Sequence, residues 1–404
     1  MKVRISASRA SGTICAPVSK SHLHRLLFAT ALAAGKSVIH GVSEADDVLA
    51  TVNCLTALGA EIIPTEDGFC VFGTDMRHTA PRRALMCRES GSTLRFVIPI
   101  ATLSGARVHI TGKSSLLARP LDAYDKIFSE RLMLLSQNGR ILTVDGPLEA
   151  GDFSVHGGVS SQFISGLLLA LPLLDGESTL TVEPPFVSRG YVDLTLSVLE
   201  SFDIFVGRRS ENVFYVPGGQ SYTPGEYRAE GDWSSAASVL ALNFLGGECT
   251  VQGLNASSYQ PDSCAGEVFS RIAAHTAEPI DLSDTPDLAP ISFALAAALG
   301  GASFIGTGRL RHKESDRAAA MKAELEKLGC SITVSEDSVT VPACELHAPN
   351  EPISSHNDHR IAMAMAILLS RLGGEIEGAE CVKKSYPDFF RDLATLGIGI
   401  AEES

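Results

Sequence analysis

The sequence predicts an α/β protein built from six copies of one structural unit, grouped into two domains. Its 404 residues exceed the length of one ordinary hydrophobic core, and 45% hydrophobic with 20% charged residues is typical of a globular protein. Six apolar runs follow short polar clusters along the chain. The clusters are Ser19-Lys20-Ser21, Ser90-Gly91-Ser92, Ser160-Ser161-Gln162, Asp232-Trp233-Ser234, Thr285-Pro286-Asp287 and Asn357-Asp358-His359.

Each copy is predicted to contain a buried helix, a strand and a second, amphipathic helix. The Ala- and Leu-rich runs predict buried helices, and they are followed by Gly35, Gly105, Gly176, Gly246, Gly300 and Gly373. Strands are predicted at SVIHGV, ARVHITG, STLTVEP, CTVQGL, ASFIGTG and GEIEGAE, and amphipathic helices at 46–58, 121–135, 191–202 and 314–328. The first 17 residues alternate as a strand does. Three copies fill residues 18–226 and three fill 227–404.

Several predicted helix starts carry cations, which is the reverse of the usual arrangement. A helix N-terminus has orphan N–H donors and about half a positive charge, so an acidic residue usually stands there. The cations near helix starts are Lys20, Arg25, Arg95, Arg119, Lys313, Arg317, Arg360 and Lys384. One such cation alone is more simply a solvated surface residue. Their recurrence predicts that small phosphorylated anions bind at the helix starts, which we expect to converge on a cleft between the domains.

Composition excludes several other classes of protein. A formal net charge of -14 and a single Trp argue against a nucleic-acid or membrane-surface binder. The nine cysteines form no CxxC pair and no zinc-ligand spacing, which predicts reduced thiols in a cytoplasmic protein without a bound metal. We find neither a signal peptide nor an apolar stretch of bilayer-spanning length.

Eight motifs resemble, in order, those of the 5-enolpyruvylshikimate-3-phosphate synthase family. They are PVSKSHLHR, ESGSTLR, SSQFISGLLLALP, GDWSSAA, DTPDLAP, RHKESDR, NDHRIAMAMA and KKSYPDFF, and they span essentially the whole chain. The resemblance implies an inside-out α/β barrel in each domain, with three repeats of a βαβαββ-type unit and helix N-termini facing the interdomain cleft. It also implies that residues 1–17 join 227–404 in the second domain, while 18–226 form the first.

The resemblance implies a 3-phosphoshikimate 1-carboxyvinyltransferase. Such an enzyme joins phosphoenolpyruvate to the 5-hydroxyl of shikimate 3-phosphate through a tetrahedral adduct and releases phosphate, in chorismate and aromatic amino acid biosynthesis. The implied partners are these two small molecules and no nucleic acid or membrane, with no metal or organic cofactor. A cytoplasmic monomer is expected, and the herbicide glyphosate is the inhibitor that the family implies.

Matching positions carry the family's residue roles onto this chain. The implied shikimate 3-phosphate contacts are Lys20, Ser21, Arg25, Ser160, Ser161, Gln162 and Ser188. The implied phosphoenolpyruvate contacts are Lys20, Gly91, Ser92, Arg119, Gln162, Arg317, Arg360 and Lys384.

The resemblance also implies the residues that move protons. Asp287 would accept the proton of the attacking hydroxyl and Glu314 would protonate the methylene carbon, while Lys313 and Lys20 assist. From spacing alone, Asp287 could equally be a helix cap, and Glu314 could be an i,i+3 partner of Arg317.

Two other functions remain open at the level of the sequence. The sister enzyme that transfers enolpyruvyl to UDP-N-acetylglucosamine usually carries a Cys shortly before the Arg that matches Arg119, and the segment GKSSLLAR has none. A non-catalytic binding protein of the same fold is the second alternative. The presence of both Asp287 and Glu314 argues against it, and turnover by the purified chain decides the matter.

Overall fold

A computed structural model describes residues 1–81, 83–131 and 133–403, and the chain is a two-domain mixed α/β protein. Two compact units divide the chain: Met1–Pro17 with Gly231–Ser404 form one, and Val18–Glu230 form the other. Every helix within the described residues is too short or too polar to cross a lipid bilayer.

Thirteen α-helices lie in the described residues. They are α1 (Lys20–Leu32), α2 (Asp46–Ala57), α3 (Gly91–Ala101), α4 (Ser114–Leu117), α5 (Asp122–Glu130), α6 (Ser161–Ala170), α7 (Arg189–Ser201), α8 (Trp233–Phe244), α9 (Ala265–Ala273), α10 (Ala289–Leu299), α11 (Arg317–Glu326), α12 (His359–Leu372) and α13 (Phe389–Thr395). The six apolar runs predicted as buried helices are α1, α3, α6, α8, α10 and α12.

Short strands alternate with these helices along the whole chain. They are β1 (Lys2–Ser6), β2 (Ser11–Cys15), β3 (Gly35–His40), β4 (Glu61–Thr65), β5 (Gly68–Gly73), β6 (Leu85–Met86), β7 (Val108–Thr111), β8 (Leu134–Asn138), β9 (Ile141–Asp145), β10 (Asp152–His156), β11 (Ser178–Glu183), β12 (Gly207–Ser210), β13 (Val213–Val216), β14 (Glu226–Arg228), β15 (Glu248–Gln252), β16 (Ile280–Asp281), β17 (Ala302–Ile305), β18 (Thr333–Val334), β19 (Ser338–Val341), β20 (Ile353–Ser354), β21 (Gly374–Glu377) and β22 (Gly399–Glu403).

The strands of the unit Val18–Glu230 form three four-stranded sheets with one pairing pattern. Their orders are β14-β3-β5-β4, β6-β7-β9-β8 and β10-β11-β13-β12. In each sheet the first pair is parallel and the next two pairs are antiparallel. The described strands of this unit therefore pair in separate open sheets, and they do not close into a hydrogen-bonded barrel.

The other unit contains two four-stranded sheets and one two-stranded sheet among its described residues. The order β16-β17-β19-β18 has the same pairing pattern. In the sheet β20-β21-β1-β22, the third strand comes from the N-terminus of the chain and pairs antiparallel with both neighbours. The remaining pair, β15 with β2, is parallel. The N-terminal segment is thus hydrogen-bonded into the unit that contains residues 231–404.

Most predicted elements are present, but two helix boundaries and one strand count were wrong. The six predicted strands correspond to β3, β7, β11, β15, β17 and β21. Residues 1–17 form two strands rather than one. The helix predicted over 121–135 ends at Glu130, because Leu134 begins a strand that pairs with β9. The helix predicted from residue 314 begins at Arg317, since the carboxylate of Asp316 accepts from Ala319 N and caps it there.

Each unit has its own hydrophobic core around its apolar helices. In α12, all residues except Arg371 and Leu372 are buried, which is typical of a central helix that is apolar all round. Two separate clusters of buried residues correspond to the two units. All nine cysteines are free thiols, although the Sγ atoms of Cys54 and Cys87 lie 3.9 Å apart.

Candidate active site

The start of α1 carries a paired lysine. Ser19 caps the helix by accepting from His22 N, and no acidic residue stands in the first turn. The ammonium of Lys20 lies 3.0 Å from a carboxylate oxygen of Asp47 in α2, and both side chains are mostly buried. Asp47 therefore holds the Lys20 ammonium at the helix start.

Arg25 is buried one turn into α1 and is almost fully hydrogen-bonded. Its guanidinium donates to Thr195 Oγ1 at 2.7 Å, to the Ser21 carbonyl at 2.6 Å and to the Tyr191 carbonyl at 2.9 Å. The Cζ atom of Arg25 lies 5.3 Å from the centroid of the Phe96 ring, over its face. Burial lowers the pKa of Arg25 to about 10, so the side chain stays cationic at neutral pH. This charge is held rigidly beneath the start of α1.

The start of α3 is surrounded by two arginines and an amide. Ser90 caps the helix, and Gly91 and Ser92 are its first residues. Gln162 donates to Ser92 Oγ at 2.9 Å and accepts from Arg95 Nη1 at 2.8 Å. A Cβ placed on Gly91 would lie 3.0 Å from one nitrogen of Arg95 and 3.0 Å from one nitrogen of Arg119. Because Gly91 has no side chain, the guanidinium groups of Arg95 and Arg119 can come close to the start of α3.

Three serines mark the starts of α6 and α7. Ser160 caps α6 by accepting from Gln162 N, and Ser161 is the first residue of that helix. Ser188 precedes α7 with φ 55° and ψ 42°, a left-handed conformation that is uncommon for a residue other than Gly. It is 2% exposed. Such conformations persist where the surrounding packing holds them, and they cluster at functional sites.

In the other unit, Arg317 joins three carboxylates. Its guanidinium donates to Asp358 at 2.9 Å, to Asp287 at 2.7 Å and to Glu314 at 3.0 Å, and also to the Pro286 carbonyl at 3.1 Å. The side chain is 1% exposed. A planar guanidinium is suited to this role because its donors point in several fixed directions. The start of α11 is therefore tied to the starts of α10 and α12.

The ionisation of Asp287 and Lys313 is shaped by burial and by neighbouring charges. Burial alone would raise the pKa of Asp287, but Lys313, Arg317 and Arg360 outweigh it and hold that pKa well below its usual value. Desolvation lowers the pKa of Lys313 to about 8, against the opposing effect of Asp287, whose carboxylate lies 3.6 Å away. Asp287 is thus ionised at neutral pH, and Lys313 loses its charge just above it.

Arg360 and Lys384 add two buried cations near the start of α12. Arg360 is 4% exposed and lies 3.7 Å from Asp287. Its Nε and Nη1 have no hydrogen-bond partner within the described residues. Lys384 donates to the Asn357 carbonyl at 2.6 Å. A bound anion would satisfy these two unused donors of Arg360.

No group of three His, Cys, Asp or Glu side chains that could hold a metal ion occurs in the described residues. The helix starts of the two units carry groups suited to anion binding and groups suited to proton transfer. Ammonium, guanidinium and hydroxyl donors supply the first, and Asp287 with Glu314 the second.

Comparison with known proteins decides the family. Residues 5–393 match the sequence model of a family described as EPSP synthase (3-phosphoshikimate 1-carboxyvinyltransferase). The chain belongs to the EPSP synthase family. This confirms the resemblance found in the motifs and the prediction of an enolpyruvyl-transferring enzyme of the shikimate pathway.

Relatives in this family match the chain over its full length. A 3-phosphoshikimate 1-carboxyvinyltransferase of Clostridium perfringens is 37% identical over 417 residues, covering 98% of each chain. One from Clostridium beijerinckii is 36% identical and covers 99% of this chain and 98% of its own. Among solved structures, an EPSP synthase from Acinetobacter baumannii has a TM-score of 0.79 at 23% identity, covering 99% of this chain and 100% of its own. The enolpyruvyl transferase NikO from Streptomyces tendae has a TM-score of 0.76 at 14% identity, covering 99% and 98%. These two structures share the fold.

The structure divides the residues implied by the EPSP synthase motifs between the two units. In Val18–Glu230 lie Lys20, Ser21, Arg25, Gly91, Ser92, Arg119, Ser160, Ser161, Gln162 and Ser188. In the unit that contains residues 231–404 lie Asp287, Lys313, Glu314, Arg317, Arg360 and Lys384. Within each unit these residues stand at or beside helix starts.

Sequence reasoning missed the roles of two residues that support these sites, since Asp47 pairs with Lys20 and Asp358 binds Arg317. Arg95, which the sequence indicated only as a cation at a helix start, binds Gln162. Asp358 stands inside the motif NDHR, so its position was the available signal. Asp358 is also the cap of α12 and accepts from Arg360 N. Its carboxylate partly compensates the partial positive charge at the N-terminus of α12.

Proposed function

We propose that the chain transfers the enolpyruvyl group of phosphoenolpyruvate to the 5-hydroxyl of shikimate 3-phosphate and releases inorganic phosphate. The observation that carries this assignment is the Arg317 cluster. Two carboxylates able to move protons, Asp287 and Glu314, share one buried guanidinium with Lys313 and Arg360 close by. Proton carriers beside cations are what addition of a hydroxyl to an anionic enol phosphate requires.

We assign binding of shikimate 3-phosphate to hydroxyls and cations at the starts of α1, α6 and α7. The residues are Lys20, Ser21, Arg25, Ser160, Ser161, Gln162 and Ser188. Helix N-termini present N–H donors to a phosphate, and hydroxyls beside them add further donors. The ion pair of Lys20 with Asp47 and the hydrogen bonds of Arg25 support this role, because they hold the cations in place without substrate.

We assign binding of phosphoenolpyruvate to Lys20, Gly91, Ser92, Arg119, Gln162, Arg317, Arg360 and Lys384. The unsatisfied donors of Arg360 support this assignment, since a buried guanidinium with two unused nitrogens suits a carboxylate or a phosphate. The close approach of Arg95 and Arg119 to Gly91 supports it as well.

The catalytic roles follow from the charges in the Arg317 cluster. Asp287 takes the proton of the 5-hydroxyl as that oxygen bonds to C2 of phosphoenolpyruvate, and Glu314 gives a proton to C3, which produces the tetrahedral adduct. The C2–phosphate bond then breaks, Glu314 recovers a proton from C3 to leave the enol ether, and Asp287 gives the hydroxyl proton to the departing phosphate. Substrate anions on Lys313 and Arg360 would offset the charges that hold the pKa of Asp287 low, so the carboxylate would become a stronger base only in the complex.

Phosphate release by the purified chain tests the function. The assay contains a chelator, phosphoenolpyruvate and either shikimate 3-phosphate or UDP-N-acetylglucosamine. We expect release only with shikimate 3-phosphate, a loss of at least about 100-fold in Asp287→Ala and Glu314→Ala, and no loss in Asp388→Ala, whose side chain is exposed. Release with the nucleotide sugar would contradict the assignment in favour of the sister enzyme. Release with neither acceptor would favour a binding protein.

Finer features of architecture and context belong to the same proposal. We infer three repeats of a βαβαββ-type unit in each domain, and the recurrent sheet pattern supports this. We also infer a cytoplasmic monomer that binds neither nucleic acid nor membrane, as its net charge of -14 and its free thiols favour. Sedimentation equilibrium tests the monomer, and a doubled mass would contradict it.

A further inference from the structure

A chain of buried hydrogen bonds links α1, α2 and the start of α3. His24 Nδ1 lies 2.7 Å from Thr51 Oγ1, which lies 2.6 Å from Thr93 Oγ1. Thr93 Oγ1 in turn donates to Ser90 Oγ at 2.7 Å. All four side chains are 0% exposed. The chain thus ends on the residue that caps α3, directly before Gly91.

The directions of these bonds assign the proton on His24. The single hydroxyl proton of Thr93 is directed mainly to Ser90 and secondarily to the Asp47 carbonyl, so Thr51 must donate to Thr93. The hydroxyl proton of Thr51 is then used, and His24 must donate to it through Nδ1–H. His24 Nε2 is left as a bare acceptor, and it has no hydrogen-bond partner within the described residues.

His24 stays neutral in this position. Burial, followed by the charges of Lys20 and Arg25, holds its pKa well below the usual value. A second proton would place an unpaired N–H and a charge in an apolar site, which is costly. The ring therefore acts as a fixed hydrogen-bond donor.

A second set of contacts, through the start of α2, links the start of α1 with the start of α3. The backbone carbonyl of Asp47 accepts from Thr93 Oγ1 at 3.4 Å, while its carboxylate pairs with Lys20 at 3.0 Å. The start of α2 thus contacts both the cation at the start of α1 and the first turn of α3. Movement of one helix start would break hydrogen bonds that hold the other.

We propose that His24, Thr51 and Thr93 are positioning residues that hold the first turn of α3, and hence Gly91 and Ser92, in the geometry that binds phosphoenolpyruvate. This inference rests on the proposed function of that helix start. These residues act through Ser90 and the helix backbone. Loss of the chain should therefore weaken phosphoenolpyruvate binding more than it slows the chemical steps.

The two ends of α3 offer a matched pair of variants. Thr93 at its start and Thr102 at its end are both 0% exposed, and Thr102 Oγ1 donates to the Pro99 carbonyl within the last turn of α3. We expect Thr93→Val to raise the KM for phosphoenolpyruvate about fivefold, the equivalent of one buried hydrogen bond, with kcat changed less than about twofold. Thr102→Val should lower stability similarly and leave that KM within about twofold.

Conservative variants separate positioning from packing. Thr93→Ser keeps the hydroxyl and should retain a KM close to that of the unmodified chain. His24→Asn places an amide N–H near the position of Nδ1 and should also retain it, whereas His24→Leu should behave as Thr93→Val does. Equal KM values in Thr93→Val and Thr102→Val, or in His24→Asn and His24→Leu, would overturn the proposal.

Amide hydrogen exchange distinguishes failure of this inference from failure of the proposed function. Without any substrate, Thr93→Val should exchange the amides of residues 91–94 faster than Thr102→Val does. If the unmodified chain shows no turnover but this difference is present, the function is wrong and the positioning chain stands. If exchange at 91–94 is the same in both variants, the positioning chain is wrong whatever the turnover.

Discussion

At the scale of single residues, burial decides how the charges of this chain behave. Arg317 is 1% exposed, yet it is surrounded by Asp287, Glu314 and Asp358, so its charge is compensated by direct hydrogen bonds. Lys313 lies beside the same cluster, and desolvation brings its pKa close to the physiological range. On the surface, the same residue types would have ordinary pKa values, and their ion pairs would contribute little to stability.

The pKa of Lys313 predicts a pH dependence of activity. Since that pKa is about 8, the lysine is charged below pH 8 and loses its charge above it. We expect kcat/KM for phosphoenolpyruvate, which reports the free enzyme, to fall as the pH rises through about 8. Arg stays charged over this range, so Lys313→Arg should move the fall to higher pH. An identical profile for the two proteins would assign the fall to another group.

The space at Gly91 predicts the effect of one added methyl group. A Cβ there would lie 3.0 Å from nitrogens of Arg95 and Arg119, so the donors would have to move. We expect Gly91→Ala to raise the glyphosate concentration for half inhibition about tenfold, through crowding of ~1–3 kcal/mol, with a smaller loss of turnover. Gly266→Ala, where a Cβ would meet no atom within 4 Å, is the control. Equal inhibition of all three proteins would contradict this prediction.

At the scale of elements, the helix starts carry the recognisable chemistry. The first turns of α1, α3, α6 and α12 contain no acidic residue, as the sequence pattern predicted. The caps were less predictable. Asp316 and Asp358 each cap a helix, and Asp358 also binds Arg317. A capping residue can be recognised from its sequence neighbours, but a partner 41 positions away cannot.

Asp358 predicts a large cost of losing one carboxylate. Its side chain is 0% exposed, caps α12 and compensates Arg317, so Asp358→Asn should lower the free energy of unfolding by about 3 kcal/mol. Asp388 is the matched control, since its ion pair with Arg391 is largely exposed and Asp388→Asn should cost less than about 0.5 kcal/mol. Urea unfolding measures both. Equal midpoints would show that Asp287 and Glu314 suffice to compensate Arg317.

At the scale of the whole molecule, each of the two hydrophobic cores contains a buried titratable group, and the two groups change stability with pH in opposite directions. In the unit Val18–Glu230, burial lowers the pKa of His24 well below its usual value and that of His22 to about 4. In the other unit, burial, followed by the charge of Asp287, raises the pKa of Asp262 to about 7. Asp262 is 0% exposed and accepts a hydrogen bond from Ser234.

These groups predict opposite slopes of stability against pH. The unfolded chain binds a proton at His24 below pH 6.5, and the folded chain does not. The contribution of His24 to the free energy of unfolding is therefore present above pH 6.5 and is lost as pH falls. Folded Asp262 keeps a proton that the unfolded chain releases near pH 3.8, so its contribution is present below pH 3.8 and is lost as pH rises through about 7.

Difference curves isolate the two contributions. Relative to the unmodified chain, His24→Asn should gain stability as pH falls from 6.5 to 4, while Asp262→Asn should gain stability as pH rises from 4 to 7. Urea midpoints measured across this range test both. Parallel curves for either variant would show that the residue does not titrate as its burial predicts.

The sequence by itself determined the fold class, the six apolar helices, the strands that follow them and the family, because each depends on local periodicity or on ordered motifs. Its failures lay at boundaries, such as the end of α5, where strand pairing between β8 and β9 overrides the helical pattern. Only the tertiary structure decided the partners: Asp47 for Lys20, Asp358 for Arg317, and the chain from His24 to Ser90. These contacts join residues distant in sequence, and their effects arise from desolvation, which no local pattern encodes.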